Sequence, residues 1–292
     1  MVAVTGDGIN DAPALTKADV GIAMGIAGTE VSRNAADIIL TDDSFNTIIE
    51  AIKWGRGIYN NFQRYLQFTL TVNVIAFLLT IISQIMDHPL PFTTIHLLWV
   101  NIIMDGPPAL ALGLEPIRES VMKRKPISKN ANIINRFMLQ TILVNSLFMM
   151  IVLLCQLEYN FLGADLTHVT AGANEEQTVI FSLFVSLVIF NALNCREFGL
   201  VSIFVNFFKN KVALLILFIT FIIQITVTQL AGGFFHDVPL SFMTWVKIIA
   251  LGSTVVLFNE CFKWMLRLIN ISRKKAKRAK KHEVIVSKET TI

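Results

Sequence analysis

The sequence predicts a membrane-embedded bundle of six α-helices preceded by a partial α/β unit. Three observations lead there. The 292 residues are 54% hydrophobic and only 16% charged, with a mean hydropathy of +0.61, a balance rare in soluble globular proteins. Six apolar stretches, at 66–86, 92–114, 137–157, 177–195, 212–231 and 242–266, reach the roughly 20 residues that a helix needs to cross a bilayer. Residues 1–60 hold no such run and alternate short strand and helix patterns instead.

Charge placement orients the six spans. The connection 115–136 carries Arg118, Lys123, Arg124, Lys125, Lys129 and Arg136, and the one after the fourth span carries Arg196, Lys209 and Lys211. The stretches 86–91, 158–176 and 231–241 carry no Lys or Arg. This alternation predicts that both termini lie in the cytoplasm. The pI of 9.0 comes from one run, Arg273–Lys281; without it 18 basic residues face 21 acidic ones. That excludes a nucleic-acid-binding surface. Cys155, Cys195 and Cys261 lie in or beside apolar runs without metal-ligand spacing, as reduced, buried thiols do.

The front end reads as strand (3–5), helix (12–18), strand (20–23) and helix (29–39), with a turn at Thr41-Asp42-Asp43. Strand–helix alternation implies a parallel sheet, and about 60 residues are too few for such a domain to stand alone. From Asn46 to Ile82 only Gly55 and Gly57 interrupt a helical pattern that turns from amphipathic to uniformly apolar. A stalk that continues into the first span is expected there.

Two stretches carry chemistry. The first is TGDGIND at residues 5–11. Asp7 falls at the C-terminal end of a strand, where parallel sheets place ligands. Gly6 and Gly8 allow a tight turn with free N–H groups, and Asn10 and Asp11 open a helix with Pro13 in its first turn. Two carboxylates and an amide at a helix N-terminus suit a hard cation beside a phosphate; ordinary turn and cap residues are the plainer alternative. The second stretch is LLWVNIIMDGPPALALGLEP in the second span. Asn101 and Asp105 lie four apart, on one helix face, and Gly106-Pro107-Pro108 is expected to break the helix. Ionisable groups in spans mark ion pathways, and broken helices open room for cations. Asn145, Asn191, Asn194, Gln224 and Gln229 read as interhelical hydrogen-bonding groups, His96 as a packing or interfacial residue, and Glu260 as paired with Lys263.

The string VTGDGINDAPAL at residues 4–15 resembles the hinge motif of the P-type ion-pumping ATPases. KADVGIAMGIAGTEVSRNAADIILTDDSF, at 17–45, is similar to the stretch after that motif in calcium pumps of the plasma-membrane type. The resemblance covers nearly the whole chain. It implies that 1–45 is the C-terminal part of a haloacid-dehalogenase-like phosphorylation domain, 46–65 a stalk helix, 66–266 helices five to ten of a ten-helix pump, and 267–292 a basic cytoplasmic tail. It implies ATP as substrate, Mg2+ held by Asp7 and Asp11, with Gly6 and Gly8 in the same loop, and an aspartyl-phosphate steadied by Asn10 and Asp11. It also implies one transported Ca2+, bound by Asn101, Asp105 and Asn73. Met104 and Ala76 stand where two-site pumps place further ligands.

The phosphorylated aspartate of that family lies in a DKTGT loop, which this sequence lacks, and a phosphoenzyme needs its nucleophile. The expectation is therefore the C-terminal part of a calcium pump, inactive alone, with Met1 an internal methionine and the N-terminal part of the pump as its partner. It would sit in a plasma, vacuolar or secretory-pathway membrane. A pump for Mn2+, Na+ or protons remains open, as does a non-catalytic membrane module. The tail reads first as a contact with anionic lipid and second as a calmodulin-binding segment.

Overall fold

The computed structural model describes residues 2–128, 130–164, 169–170, 173–197 and 199–289, with no side-chain detail at 169, 170, 173, 174 or beyond 272. Lys129, His168 and the side chains of the basic run Arg273–Lys281 thus lie outside the described residues. The chain forms two compact units, Met1–Asn61 with Pro116–Ile134, and Phe62–Glu115 with Asn135–Ile292.

In the first unit β1 (Ala3–Gly6), α1 (Ala12–Lys17), β2 (Val20–Met24), α2 (Glu30–Ala35) and β3 (Ile38–Leu40) come in that order. The three strands pair in parallel in the order β1-β2-β3, with Val4 opposite Gly21 and Ala23 opposite Ile39. The helical pattern expected through Ile39 stops earlier. Ala36 is extended (φ −99°, ψ 150°), and Ile38–Leu40 becomes the third strand. Three large aliphatic residues in a row suit a strand better than the end of a six-residue helix, and Asp37 secures the turn by accepting the Gly21 N–H at 2.8 Å. Ile22, Leu40 and Ile48 form this unit's small core.

The long helix α3 (Phe45–Ile85) begins in the first unit. There the segment after Pro116 is tied to it. Arg56 donates to the carbonyls of Val121 and Arg124 (3.0 and 2.9 Å), and Lys53 lies 2.6 Å from Glu119.

Most of the second unit is helical. α4 (Thr94–Trp99), a π-turn (Val100–Met104) and α5 (Gly106–Gly113) make one interrupted rod. α6 (Arg136–Tyr159), the short antiparallel strands β4 (Val169–Thr170) and β5 (Ala173–Asn174), α7 (Glu175–Cys195), α8 (Lys211–Leu230), the single turn α9 (Gly232–Phe235) and α10 (Phe242–Glu289) complete it. Side-chain caps start the helices: Asn135 accepts the Met138 N–H, and Asn210 that of Ala213. Among the described residues six helices are long and apolar enough to cross a membrane: α3, the rod Thr94–Gly113, α6, α7, α8 and α10 over Phe242–Ser272.

α7 is the central helix, and sixteen of its 21 residues are buried. Phe181, Phe184, Leu187 and Val188 join Phe68 of α3, Met149 of α6 and Val255 of α10 in one core. Lipid is as apolar as these side chains, so close packing and hydrogen bonds rather than water exclusion hold such helices together. At Gly252 the α10 backbone comes so near α7 that a Cβ would collide with Ser186 and Phe190. Ser186 and Asn194 both hydrogen-bond to α10 carbonyls, of Ile248 and Val255.

Gly55, on α3, has open space around it, and this contrast sets a test. Gly252→Ala should lower stability by about 1–3 kcal/mol through overpacking. Gly55→Ala should raise it by up to about 1 kcal/mol through helix propensity. Thermal unfolding in detergent reads both, and shifts of the same sign would refute the packing argument.

Candidate functional site

The parallel sheet brings the C-terminal ends of its strands to one edge, and with them the loops 7–11, 25–29 and 41–44. Asp7 comes directly after β1 and is exposed; Asn10 is exposed in the 3-10 turn Ile9–Asp11; Asp11 is half-buried at the start of α1. Asp11 Oδ2 accepts the N–H groups of Asp7 (3.0 Å) and Gly8 (2.9 Å). The Gly8 amide, expected to be free, is thus held by Asp11. Gly6 is required for a second reason: a Cβ there would collide with the Asp11 side chain. The Asp7 carbonyl accepts from Thr29 N (2.8 Å) and Ser32 Oγ (3.0 Å), which fixes the loop to the N-terminus of α2.

Asp43 does similar work on the neighbouring loop. Its carboxylate accepts the amides of Gly25, Ile26 and Ala27 at 2.6, 3.1 and 2.7 Å, from a backbone with φ +49°. The sequence pattern shows it only as a turn residue. Nothing local announces three amide donors that lie sixteen to eighteen residues upstream.

Asp7 and Asp11 are two carboxylates, one of them partly engaged by the loop. Among the described residues no three His, Cys, Asp or Glu side chains converge to hold a metal ion. That donor set fits Mg2+, which takes one or two carboxylates and completes its shell with phosphate oxygens and water.

The second candidate lies in the interrupted rod. The break stands one turn earlier than expected. Gly106, Pro107 and Pro108 begin α5, where prolines are tolerated. The disturbance sits upstream in the π-turn, where Asp105 N bonds to Val100 O at 2.9 Å. The prolines have no N–H to give the carbonyls of Ile103 and Met104. Met104 is fully buried. Asp105 is half-buried, and its Oδ1 is buried with no hydrogen-bond partner.

Asn101 and Asn73 are exposed, and Asn73 Nδ2 donates to Thr69 O of its own helix at 2.9 Å. The structure records no hydrogen bond joining Asn73, Asn101 and Asp105. Three side chains fall short of the six to eight oxygens Ca2+ takes.

Of the other polar span residues, several pair between helices or with a neighbouring loop. Trp99 Nε1 donates to Gln224 at 2.8 Å, Asn145 to Asn259 at 3.4 Å, and Gln229 makes two bonds with the Leu240 backbone. Asn191 is buried without a hydrogen-bond partner. His96 is buried against Asp237 at 3.1 Å and stacked on Phe181. Glu260 accepts the Ile203 N–H and lies 3.9 Å from Lys263.

A short parallel sheet followed, among the described residues, by six helices long and apolar enough to cross a membrane defines a multi-pass membrane protein. Residues 89–265 match the family described as Cation transporting ATPase, C-terminus, and the chain belongs to that family. It is 43% identical over 258 residues to calcium-transporting ATPase 4, plasma membrane-type, of Arabidopsis thaliana, covering 87% of this chain and 24% of that protein. It is 41% identical over 261 residues to plasma membrane calcium-transporting ATPase 2 of Oreochromis mossambicus, covering 86% and 23%. With plasma membrane calcium-transporting ATPase 1 of Homo sapiens it shares 40% over 269 residues, covering 89% and 22%. The chain spans about a quarter of the length of these relatives.

The Asp11 carboxyl lies below the usual carboxylate range, because it accepts first the Gly8 and then the Asp7 amide. A carboxyl depressed on folding adds stability above its unfolded value, near about 3.9, and that contribution is lost as pH falls through the folded value. Asp11→Asn should therefore speed hydrogen exchange at the Asp7 and Gly8 amides at neutral pH. The difference from the unaltered protein should fade on acidification below about pH 3.9. Hydrogen exchange of the 2–11 segment reads it, and a pH-independent difference would count against the carboxylate.

Proposed function

We propose that this chain is the ion-binding, C-terminal part of an ATP-driven calcium pump, with both termini in the cytoplasm. Residues 1–45 are then the end of a haloacid-dehalogenase-like phosphorylation domain, and 46–65 the stalk. Residues 66–266 form the transmembrane bundle, and 267–292 a tail that meets anionic lipid, or else calmodulin. The observation that carries the reading is Asp105: an acidic side chain with a buried, unpartnered oxygen, in a helix whose backbone bonding is interrupted at that point. Such an oxygen in a span is costly unless a cation uses it.

In this reading Asp105 is the anionic ligand of one transported Ca2+. Asn101 and Asn73 contribute amide oxygens, and the carbonyls of Ile103 and Met104 are available because the prolines cannot engage them. The remaining oxygens come from water and from polypeptide outside this chain, which also supplies the phosphorylated aspartate. At the sheet edge Asp7 and Asp11 would hold Mg2+, which supplies electrostatic stabilisation to a phosphoryl group when bound. Asp11 keeps the Asp7–Gly8 turn in shape, and Asn10 offers an exposed amide to the phosphate. α3, one helix from Phe45 to Ile85, is the element through which movement at the sheet would reach the bundle.

The test is ATP-driven 45Ca uptake by the full-length pump that carries this chain. Asp105→Asn should abolish uptake, a loss of at least about a hundredfold. Asp7→Asn should abolish phosphorylation from ATP while Ca2+ binding persists. Uptake retained in Asp105→Asn would sink the site assignment, and equal stimulation by Mn2+ would widen the substrate to both ions.

A further inference from the structure

α5 ends at Gly113, and two residues later Glu115 is buried, 3% exposed. Arg196, at the C-terminal end of α7 and 2% exposed, grips it from both sides: Nε to Oε2 at 3.2 Å and Nη2 to Oε1 at 3.4 Å. The third guanidinium nitrogen donates to Phe207 O at 3.1 Å. Asn210 Nδ2 adds bonds to Glu115 Oε2 (2.9 Å) and Leu114 O (3.4 Å), while its Oδ1 caps α8. The end of the interrupted rod is thereby locked to α7 and to the start of α8. A buried ion pair is a poor source of net stability, since desolvation offsets the attraction. A fully bonded, two-pronged pair does provide a fixed geometry.

The other end of the rod is fixed as well, by His96 on Asp237 and Trp99 on Gln224. Between the two anchors lie the π-turn and the two prolines, the only stretch of the rod without regular α-helical bonding. Asp105 sits in that stretch, ten residues before Glu115 or about 15 Å of helix.

We propose that the Glu115–Arg196–Asn210 clamp is a positioning device for Asp105. It holds α5 still, so that changes in the rod are confined to residues 100–106 and move the Asp105 carboxylate rather than the helix below it. Glu115, Arg196 and Asn210 are positioning residues that touch no ion themselves. The inference rests on the reading of Asp105 as a cation ligand.

The experiment uses the full-length pump in native membranes. It measures the Ca2+ concentration that half-activates phosphoenzyme formation, together with the maximal phosphoenzyme per pump. Glu115→Gln and Arg196→Gln should each raise the half-activating concentration by about tenfold or more, as a misplaced ligand does, with the maximal level retained. The exchanged pair, Glu115→Arg with Arg196→Glu, should recover part of that shift. A clamp that only stabilised the fold would reduce the amount of pump and leave half-activation unchanged, and that result overturns the proposal. If Arg196→Gln fails to accumulate, Arg196→Lys keeps the charge without the fork; an unshifted half-activation there overturns it equally. Asp105→Asn is run alongside. If it keeps Ca2+ activation, the ligand reading fails and takes this inference with it. If it loses activation while the clamp variants behave as the unaltered pump, the inference fails alone.

Discussion

Inside a bilayer every backbone N–H and C=O must find its partner within the protein, and the rod from Thr94 to Gly113 carries two residues that work against that rule. Pro107 and Pro108 withhold two donors in the middle of an otherwise regular crossing. The chain absorbs the defect upstream, by widening Val100–Met104 into a π-turn. The rest of the second unit can be described by how it makes this defect tolerable. α8 lies along α5, Gln224 takes the Trp99 indole, and Met104 plugs the core behind Asp105.

The first unit obeys a different logic. Its loops are organised by carboxylates that accept backbone amides: Asp11 for Asp7 and Gly8, Asp37 for Gly21, and Asp43 for Gly25 to Ala27. A short parallel sheet leaves its strand-end loops with many unpaired amides. Aspartates close them without bulk, and the edge of the sheet stays open around Asp7. Order in the loops and access at the site come from the same residues.

Much of the architecture is legible in the residues. Six crossings can be read from run length alone, because helix length in a bilayer is set by thickness, and the described residues hold six such helices. The hinge string marks the loop at Asp7, since a strand end followed by Gly-Asp-Gly admits few geometries. The features that escape depend on distance or on competition. Glu115 and Arg196 are 81 residues apart, and charge counting makes Arg196 an ordinary loop base, whereas it is buried. Ile38 and Ile39 continue a helical period from Thr29, but pairing with β2 decides their state. The Gly-Pro-Pro string announces a break without saying that the distortion falls one turn before it. As for the candidate site, the residues single out Asp105, whose Oδ1 is buried without a hydrogen-bond partner. They do not reveal that Asn73 and Asn101 are exposed in this chain.

α7 is enclosed on nearly every side, and it carries Ser182, Ser186, Asn191 and Asn194 into that enclosure. Two of these bond to carbonyls of α10, the sixth crossing in chain order. A ribosome delivers the chain from its N-terminus, so α7 enters the membrane before its partner exists. For that interval its amides and hydroxyls face lipid or the insertion machinery instead of protein. Assembly of the bundle therefore cannot proceed helix by helix into a finished state. Its centre is sealed only by the sixth crossing, and chains stopped short of residue 242 would stay in the membrane with a polar helix still waiting for its cover.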